Sequence, residues 1–480
     1  MIPMTGIIAQ IAEKVVEEIL KTVEKNGIAE IGKTAENLLE TLKTGALELL
    51  SAMIEEVDHA VLEAKKERRT DGLTVKARNV ERTCVTGIGE LKYRRTYYKC
   101  EDGTMIYLTD HLIGIEPFER VTRELCAKLV GQAASMSMEK AANAEKVSVS
   151  RQTVNNKVLA MEETVAEVQR LKNTPPELHL FADEDHVSLR PRGQAIVPLV
   201  TVTEGIDQTN EKRHKTIRPL HFQGYGVEND AFVETVVAAM YERYDMDLVK
   251  KIYIHADGGN WIRKLGTLLP KSTYIMDGFH VEKHFKAFFR LNGAAPYAGV
   301  IRQAIAGNDF EAFARYCSAI RKKQNGTLEK MTELVNYFQN NWDSIVLRLR
   351  GSVCGSCTEP LVSHVLSERL SRNPLAWSKE GLSKMAMLRV YTLNGGVVSS
   401  SHIRISRNHA SRSRDFSSLK NGFSLYRQYA DTQAKLVLSG SHDWSIFEKT
   451  HVLPGLTDGK SSGISSLLYA YSHFHDSLAF

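Results

Sequence analysis

Cysteine is scarce. Six in 480 residues cannot build a disulfide scaffold, which suits a reducing cytoplasm. Cys354 and Cys357 form a lone CGSC, and zinc sites of that style need a second pair, so free thiols are expected. No run of about 18 uncharged apolar residues occurs, which excludes a membrane-crossing helix. Glu13 and Lys14 interrupt the first apolar stretch before any cleavage pattern, so no secretory leader is expected. Charge of one sign is also lacking: 62 Lys and Arg against 57 Asp and Glu leave a net +5. That mild excess permits nucleic-acid binding without demanding it. The expectation is a cytoplasmic, nucleoid-associated protein with no membrane partner.

What is present is ordinary globular composition, 43% hydrophobic and 25% charged, over a length that calls for two to four domains. Basic residues gather between Lys65 and Lys99 and between Arg404 and Arg427, whereas the first sixty residues lean acidic. Residues 6 to 68 carry two apolar stripes at helical spacing, broken between Gly27 and Gly32. A hairpin packed on the body and a self-association arm both fit that pattern. From Arg82 the pattern shortens to β segments, TCVTGIGELKYRRTYYKC and TMIYLTDHLIGI. There Arg94 and Arg95 interleave with tyrosines, as a phosphate-contacting hairpin or a plain solvated one would.

A helix is expected over 119–133, a second over 137–145 and a third begun by Ser150 as N-cap. This is helix-turn-helix spacing, with Ala141 and Ala142 at the crossing. Arg151, Gln152, Asn155 and Asn156 then open a recognition helix with side chains that read base edges. The third helix is expected to run to about Lys172.

The most informative stretch is LHLFADEDHVSLR, Leu178 to Arg190. It has strand spacing, yet Asp183, Glu184 and Asp185 sit in its middle, where acids are disfavoured. Positions i and i+2 share a face, so Asp183 and Asp185 point the same way and repel unless a cation or proton intervenes. A solvated edge strand is the plain alternative. Two further strands, a helix over 228–243, the strand LVKKIYIHADGG, a short helix and the strand STYIMDGF follow. The order β-β-β-α-β-α-β is that of the ribonuclease-H-like fold. It sets Asp183 or Asp185 beside Asp257, whose plain role is a turn or N-cap aspartate. Oxygen ligands converging from separate elements are what hard divalent cations require. Residues 291–350 read as wholly helical. The helix that begins near Thr358 offers Glu359 as a third carboxylate, with Glu368 as a solvated competitor.

FADEDHVSLR, YIHADGGNW, MDGFHVEKH and TEPLVSHVLSERLSRNPLAWSKEG, in that order, resemble the Lre-type insertion-sequence transposases (the ISLre family). That family belongs to the DDE group and is related to Mutator-like enzymes. SVSRQTVNNKV and ERTCVTGIGELKYRRTYYK share the likeness, which covers most of residues 80–390. The resemblance implies a multi-domain α/β protein with a ribonuclease-H-like mixed sheet and an all-helical insertion. It also implies Mg²⁺-dependent cutting and joining of double-stranded DNA, with Mn²⁺ as substitute, in a homo-oligomeric complex. The implied metal-binding triad is Asp183, Asp257 and Glu359, with Asp277 and His280 matching a DxxH signature. Three consecutive acids stand where relatives often have one acid before Gly, so Asp185 stays open beside Asp183. The expected layout is 1–70 helical, 71–118 a small basic β segment, 119–173 helix-turn-helix, and 174–290 the first part of the core. The insertion, 291–350, the closing helices, 351–400, and a basic tail, 401–480, complete it. In the tail, Arg404 and Arg412 are expected to touch DNA phosphates, although a solvated loop fits that segment equally.

Overall fold

The computed structural model describes residues 4–26, 30–207, 215–257, 259–324, 328–351, 357–372 and 376–404. Among the described residues two compact units emerge, one from residues 4–83 and Leu91–Pro117, the other from Cys84–Glu90 and residues 118–404. Among the described residues no helix is long and apolar enough to cross a membrane.

In the first unit the helices Met4–Asn26 and Ile31–Glu63 lie together. Gly45 permits their approach, since a Cβ there would collide with Val15. A short helix, Lys65–Thr70, leads into a three-stranded sheet ordered β1-β2-β3: β1 (Leu73–Thr86), β2 (Gly89–Cys100) and β3 (Met105–Ile106). Buried acids tie this sheet to its helices. Asp58 accepts from the Thr96 N–H (2.8 Å) and hydroxyl (2.6 Å), and from the Thr109 hydroxyl. Asp110 accepts from the Tyr93 hydroxyl (2.7 Å) and pairs with Arg82 (3.0 Å) and Arg95. These acids also explain a difference from the expected β segment: Leu108–Leu112 is helical. A strand would send Thr109 and Asp110 to opposite faces, and both have inward partners.

Arg95 corrects a second expectation. It is buried, ion-paired to Asp110 and stacked 3.5 Å above the Tyr107 ring, so it cannot reach a DNA phosphate. Its neighbour Arg94 is exposed.

The second unit is built on a mixed five-stranded sheet. Its strands are β4 (Glu177–Ser188), β5 (Gln194–Thr203), β8 (Leu220–Gln223), β9 (Lys251–Ala256) and β10 (Ser272–Met276). Between β5 and β8, β6 (Ile206–Asp207) and β7 (Lys215–Thr216) form a small separate ladder. The sheet order is β10-β9-β4-β5-β8, antiparallel across β4, β5 and β8 and parallel across β4, β9 and β10. Alternation gives the sheet two different faces. Leu178, Leu180, Ala182, Val200, Val202, Ile252, Ile254 and Ala256 form one, packed under the helices Asn229–Arg243 and Asn260–Leu268.

The other face is polar at its centre. His179, Phe181 and His255 stack there, with ring centroids 4.5 Å apart for Phe181 and His255. Arg348 donates to His255 Nδ1 (2.7 Å); the His255 proton therefore sits on Nε2 and is donated to His179 Nδ1 (3.1 Å). Burial holds both imidazoles neutral, His179 at about 4.

After β10 comes the helix Gly278–Phe289, then an all-helical stretch: Ala298–Ala306, Phe310–Arg321, Leu328–Asn340 and Trp342–Arg350. Its own core includes Phe285, Phe288, Ile301, Phe313, Ile320 and Phe338. The chain then returns through Thr358–Val362 to the helix Lys379–Leu393.

Three helices, Arg123–Ala133, Met138–Ala144 and Arg151–Leu159, precede the sheet. The last does not continue to Lys172, as its spacing suggested. It ends at Leu159, and residues 162–171 are not helical. Other segments satisfy this backbone: Met161 bridges Ile403, the Glu162 N–H donates to His402 O (2.8 Å) and the Leu171 N–H to Arg243 O (2.8 Å). Val165, 82% exposed, has no core to enter.

Candidate active site

Strand register brings the aspartates to one level. Phe181 pairs with His255 in the parallel β4–β9 ladder, so Asp183 and Asp257, each two residues further on, stand alongside one another on the polar face. Met276 pairs with Ala256, which places Asp277 next to Asp257 just past the strand ends. Glu359 arrives from elsewhere. It lies in the first turn of Thr358–Val362, and Val362, one turn later, packs into the cluster containing Val187, Val197 and Leu199 on the same sheet face.

These groups act on one another electrostatically. Burial pushes the Asp183 carboxyl up to about 6, and the charges of Asp257 and Glu359 add to the shift. The Glu184 N–H, which donates to Asp183 Oδ1 (2.9 Å), and the imidazole of His280 oppose it. His280 is raised as well: its bond to Asp277 raises it, burial resists, and the charges of Asp183 and Asp257 raise it further. Asp277 is fully buried and caps the helix that follows, accepting from the N–H groups of Phe279 (2.9 Å) and His280 (3.3 Å) and lying 3.3 Å from His280 Nδ1. Its place is therefore beneath His280, holding the ring toward Asp183 and Asp257.

Asp185 shares the face but not the company. It is buried, with the Ser371 hydroxyl 3.0 Å from each of its oxygens; burial raises its carboxyl, and the hydroxyls of Ser371 and Ser367 oppose the shift. Glu184 points to the other face and accepts from Trp261 Nε1 (2.6 Å). Glu368 pairs with Arg389 (3.0 Å).

Among the described residues no three His, Cys, Asp or Glu side chains stand close enough to hold one metal ion between them. In kind the acids fit a hard divalent cation: carboxylate oxygens from three elements, with a charge excess that raises one of them. As placed, they do not close into a single coordination sphere.

The groove-reading candidates come from the helices that precede the sheet and from its closing segment. Ser137 and Ser150 cap their helices, accepting from Lys140 N (3.2 Å) and Thr153 N (3.1 Å). Ala141, Ala142, Val154 and Val158 are buried together, leaving Arg151, Gln152 and Asn156 exposed and Asn155 half-buried. Gln152 Nε2 donates to Asn156 Oδ1 (2.7 Å), so these two amides are aligned. Arg404 is exposed and its side chain lies 3.9 Å from Glu162; Arg412 lies outside the described residues.

Three contributors carry no signal in the sequence. Ser371 identifies itself only by meeting Asp185, Arg348 only by meeting His255, and Tyr337 only by stacking on His284. Each meets its partner across a long stretch of chain. His284 alone had a hint, one helical turn beyond His280.

Residues 24–405 match the uncharacterised protein family UPF0236. The chain belongs to that family. Among its relatives in Caldanaerobacter subterraneus subsp. tengcongensis, one UPF0236 protein is 34% identical over 408 residues, covering 81% of this chain and 84% of the relative. Two others are 33% identical over 395 residues, covering 80% of this chain and 78% and 82% of their own lengths. The printed name of the first joins eleven locus labels and that of the last four. The UPF0236 match runs from the N-terminal helices to the close of the second unit, so it includes every carboxylate of the cluster.

Proposed function

We propose that this protein is a DDE transposase of a bacterial insertion sequence, with a ribonuclease-H-like core that cuts and joins DNA. The observation that carries the reading is the β4–β9 register, which lines up Asp183 and Asp257 beneath a helix bearing Glu359. Sheet order and direction, with a helical stretch between β10 and Glu359, support the same core. So does the relative's name, which joins eleven locus labels in one organism, as a self-mobilising element present in many copies would.

The reaction has two strokes. Water attacks a phosphodiester at the element end, breaking its P–O3′ bond and freeing a 3′-hydroxyl. That hydroxyl attacks a target phosphodiester, forming one P–O bond as another breaks. Asp183, Asp257 and Glu359 are the residues that would hold Mg²⁺ or Mn²⁺. When bound, such a cation would supply Lewis-acid stabilisation of charge on the phosphate oxygens.

The protein's own groups do the rest. Asp183 Oδ1 is committed to the Glu184 N–H, which leaves Oδ2 as the atom to take a ligand or a proton. His280, with Asp277 behind it, presents positive character toward the acids and the incoming phosphate. The helix Arg151–Leu159 would offer its polar edge to the major groove, and the exposed Arg94 and Arg404 would each meet phosphates.

The test is a strand-transfer assay with a labelled duplex carrying the DNA that flanks the gene. Joined product supports the transposase. Cleavage without joining makes it a nuclease, and a shifted band with neither makes it a binding protein.

A further inference from the structure

We propose that Tyr337 is a further catalytic residue, its hydroxyl donating a hydrogen bond to a non-bridging oxygen of the phosphodiester under attack. The proposal rests on the phosphoryl-transfer reading and adds a group that neither the acidic triad nor the DxxH pair contains.

Tyr337 comes from the helix Leu328–Asn340, the third of the helical stretch between β10 and Glu359. Its neighbour Phe338 is fully buried in the core of that stretch, which fixes the rotation of the helix. The Tyr337 ring is fixed as well. It lies flat on the His284 imidazole, with centroids 3.6 Å apart and planes 7° from parallel. His284 in turn is oriented by the His280 carbonyl, 2.9 Å from its Nδ1, which must therefore carry the proton. Tyr337 is thus aligned through His284 to the turn of helix that also presents His280 to the acids.

The hydroxyl at the end of this stack is buried and has no hydrogen-bond partner among the described residues. Among the described residues the buried hydroxyls of Tyr98 and Tyr244 also lack a hydrogen-bond partner. Tyr337 differs in its place: its ring lies on His284, one turn past the His280 that meets Asp277, and the charges of Asp257 and Asp277 join burial in keeping the phenol un-ionised. A neutral, unpaired O–H beside this turn of helix is a donor awaiting an anionic oxygen. The unpaired hydroxyl costs the resting protein stability. Aimed where charge develops, it stabilises the transition state without having to reorganise. The helical stretch would then contribute one donor from the side opposite the sheet.

Tyr337→Phe removes only this hydroxyl and keeps the stack. Three quantities decide: melting temperature without metal or DNA, affinity for the labelled flanking duplex, and the single-turnover cleavage rate with Mg²⁺. The expected result is an unchanged or slightly higher melting temperature, affinity within about twofold, and a rate lower by about 10²-fold. A merely structural tyrosine would lose stability first. If the wild type cleaves and the variant cleaves as fast, the proposal is overturned while the transposase reading stands. If neither cleaves under conditions where both bind the duplex, the phosphoryl-transfer reading falls and the role of Tyr337 falls with it.

Discussion

Replacing Asp183 with Asn should make the protein more stable and abolish its activity at the same time. Burial and the neighbouring acids lift the Asp183 carboxyl from the ordinary 3.8 to about 6. A difference of about two pKa units corresponds to roughly 3 kcal/mol. The sign follows from proton counting. Between those two values the folded protein holds a proton that the unfolded chain has released, so stability falls as pH rises through that window. Above about pH 6 the loss is complete, and below about pH 4 it vanishes. Asn cannot ionise, yet its Oδ1 can still accept from the Glu184 N–H, 2.9 Å away in the wild type. The gain should therefore be small in acid and about 1–3 kcal/mol at neutral pH, allowing for partial exposure and relaxation of the other acids. Urea unfolding in EDTA at about pH 5 and about pH 7.5 measures it, and the gain should grow by about 1 kcal/mol between them. A variant less stable than wild type at neutral pH, or a gain that ignores pH, would refute the view that Asp183 is held in an electrostatically strained place.

Other outcomes follow from the same geometry. Millimolar Mg²⁺ or Mn²⁺ should raise the melting temperature of the wild type by binding the folded state alone, and Asp257→Ala should abolish that rise in a thermal scan. Arg151→Ala and Asn155→Ala should each weaken binding to the flanking DNA by about 1–3 kcal/mol, with little change for unrelated duplexes, as mobility shifts at fixed salt would record. Arg95→Ala should destabilise the first unit by about 1–3 kcal/mol in chemical denaturation, because Asp110 loses a buried partner. Arg94→Ala should leave the fold intact and flatten the salt dependence of DNA binding instead.

Local periodicity was enough to read the elements of the sheet. β4, β5, β9 and β10 are bounded by turn residues, and their order limits the ways they can pair. The serine caps at Ser137 and Ser150 were legible for a similar reason, since a cap is a local bond between a side chain and the next turn. Reading failed where a distant partner decided the outcome. Leu108–Leu112 curls because Asp58 is waiting for Thr109. The helix after Ser150 stops because residues 402–404 take its backbone. Arg95 looked like a phosphate contact among tyrosines, and nothing near it in the chain announces Asp110. The choice between Asp183 and Asp185 was closed to sequence for a related reason. Both share a face, and only the arrival of Ser371 at one and of Glu359 at the other tells them apart.

The placement of Glu359 is itself decided by contacts made further along the chain. The helix that carries it widens into a π-helical turn over Ser363–Ser367 before continuing to Leu370. Such turns leave carbonyls in need of donors, and they recur at functional sites. Here Arg389 supplies the donors, reaching His364 O (2.7 Å) and Val365 O (3.0 Å). The same guanidinium reaches Ala134 O (3.1 Å), and Arg369 reaches Ala133 O (2.8 Å), at the end of the helix Arg123–Ala133. Two buried arginines so close are unfavourable by themselves: burial and the charge of Arg389 together lower Arg369 to about 10. Glu368 offsets that charge through its pair with Arg389. The two glutamates of this helix thus have separate tasks. Glu368 is held by the arginines that anchor the wide turn, and Glu359, one side of that turn away, is the one left to act on Asp183.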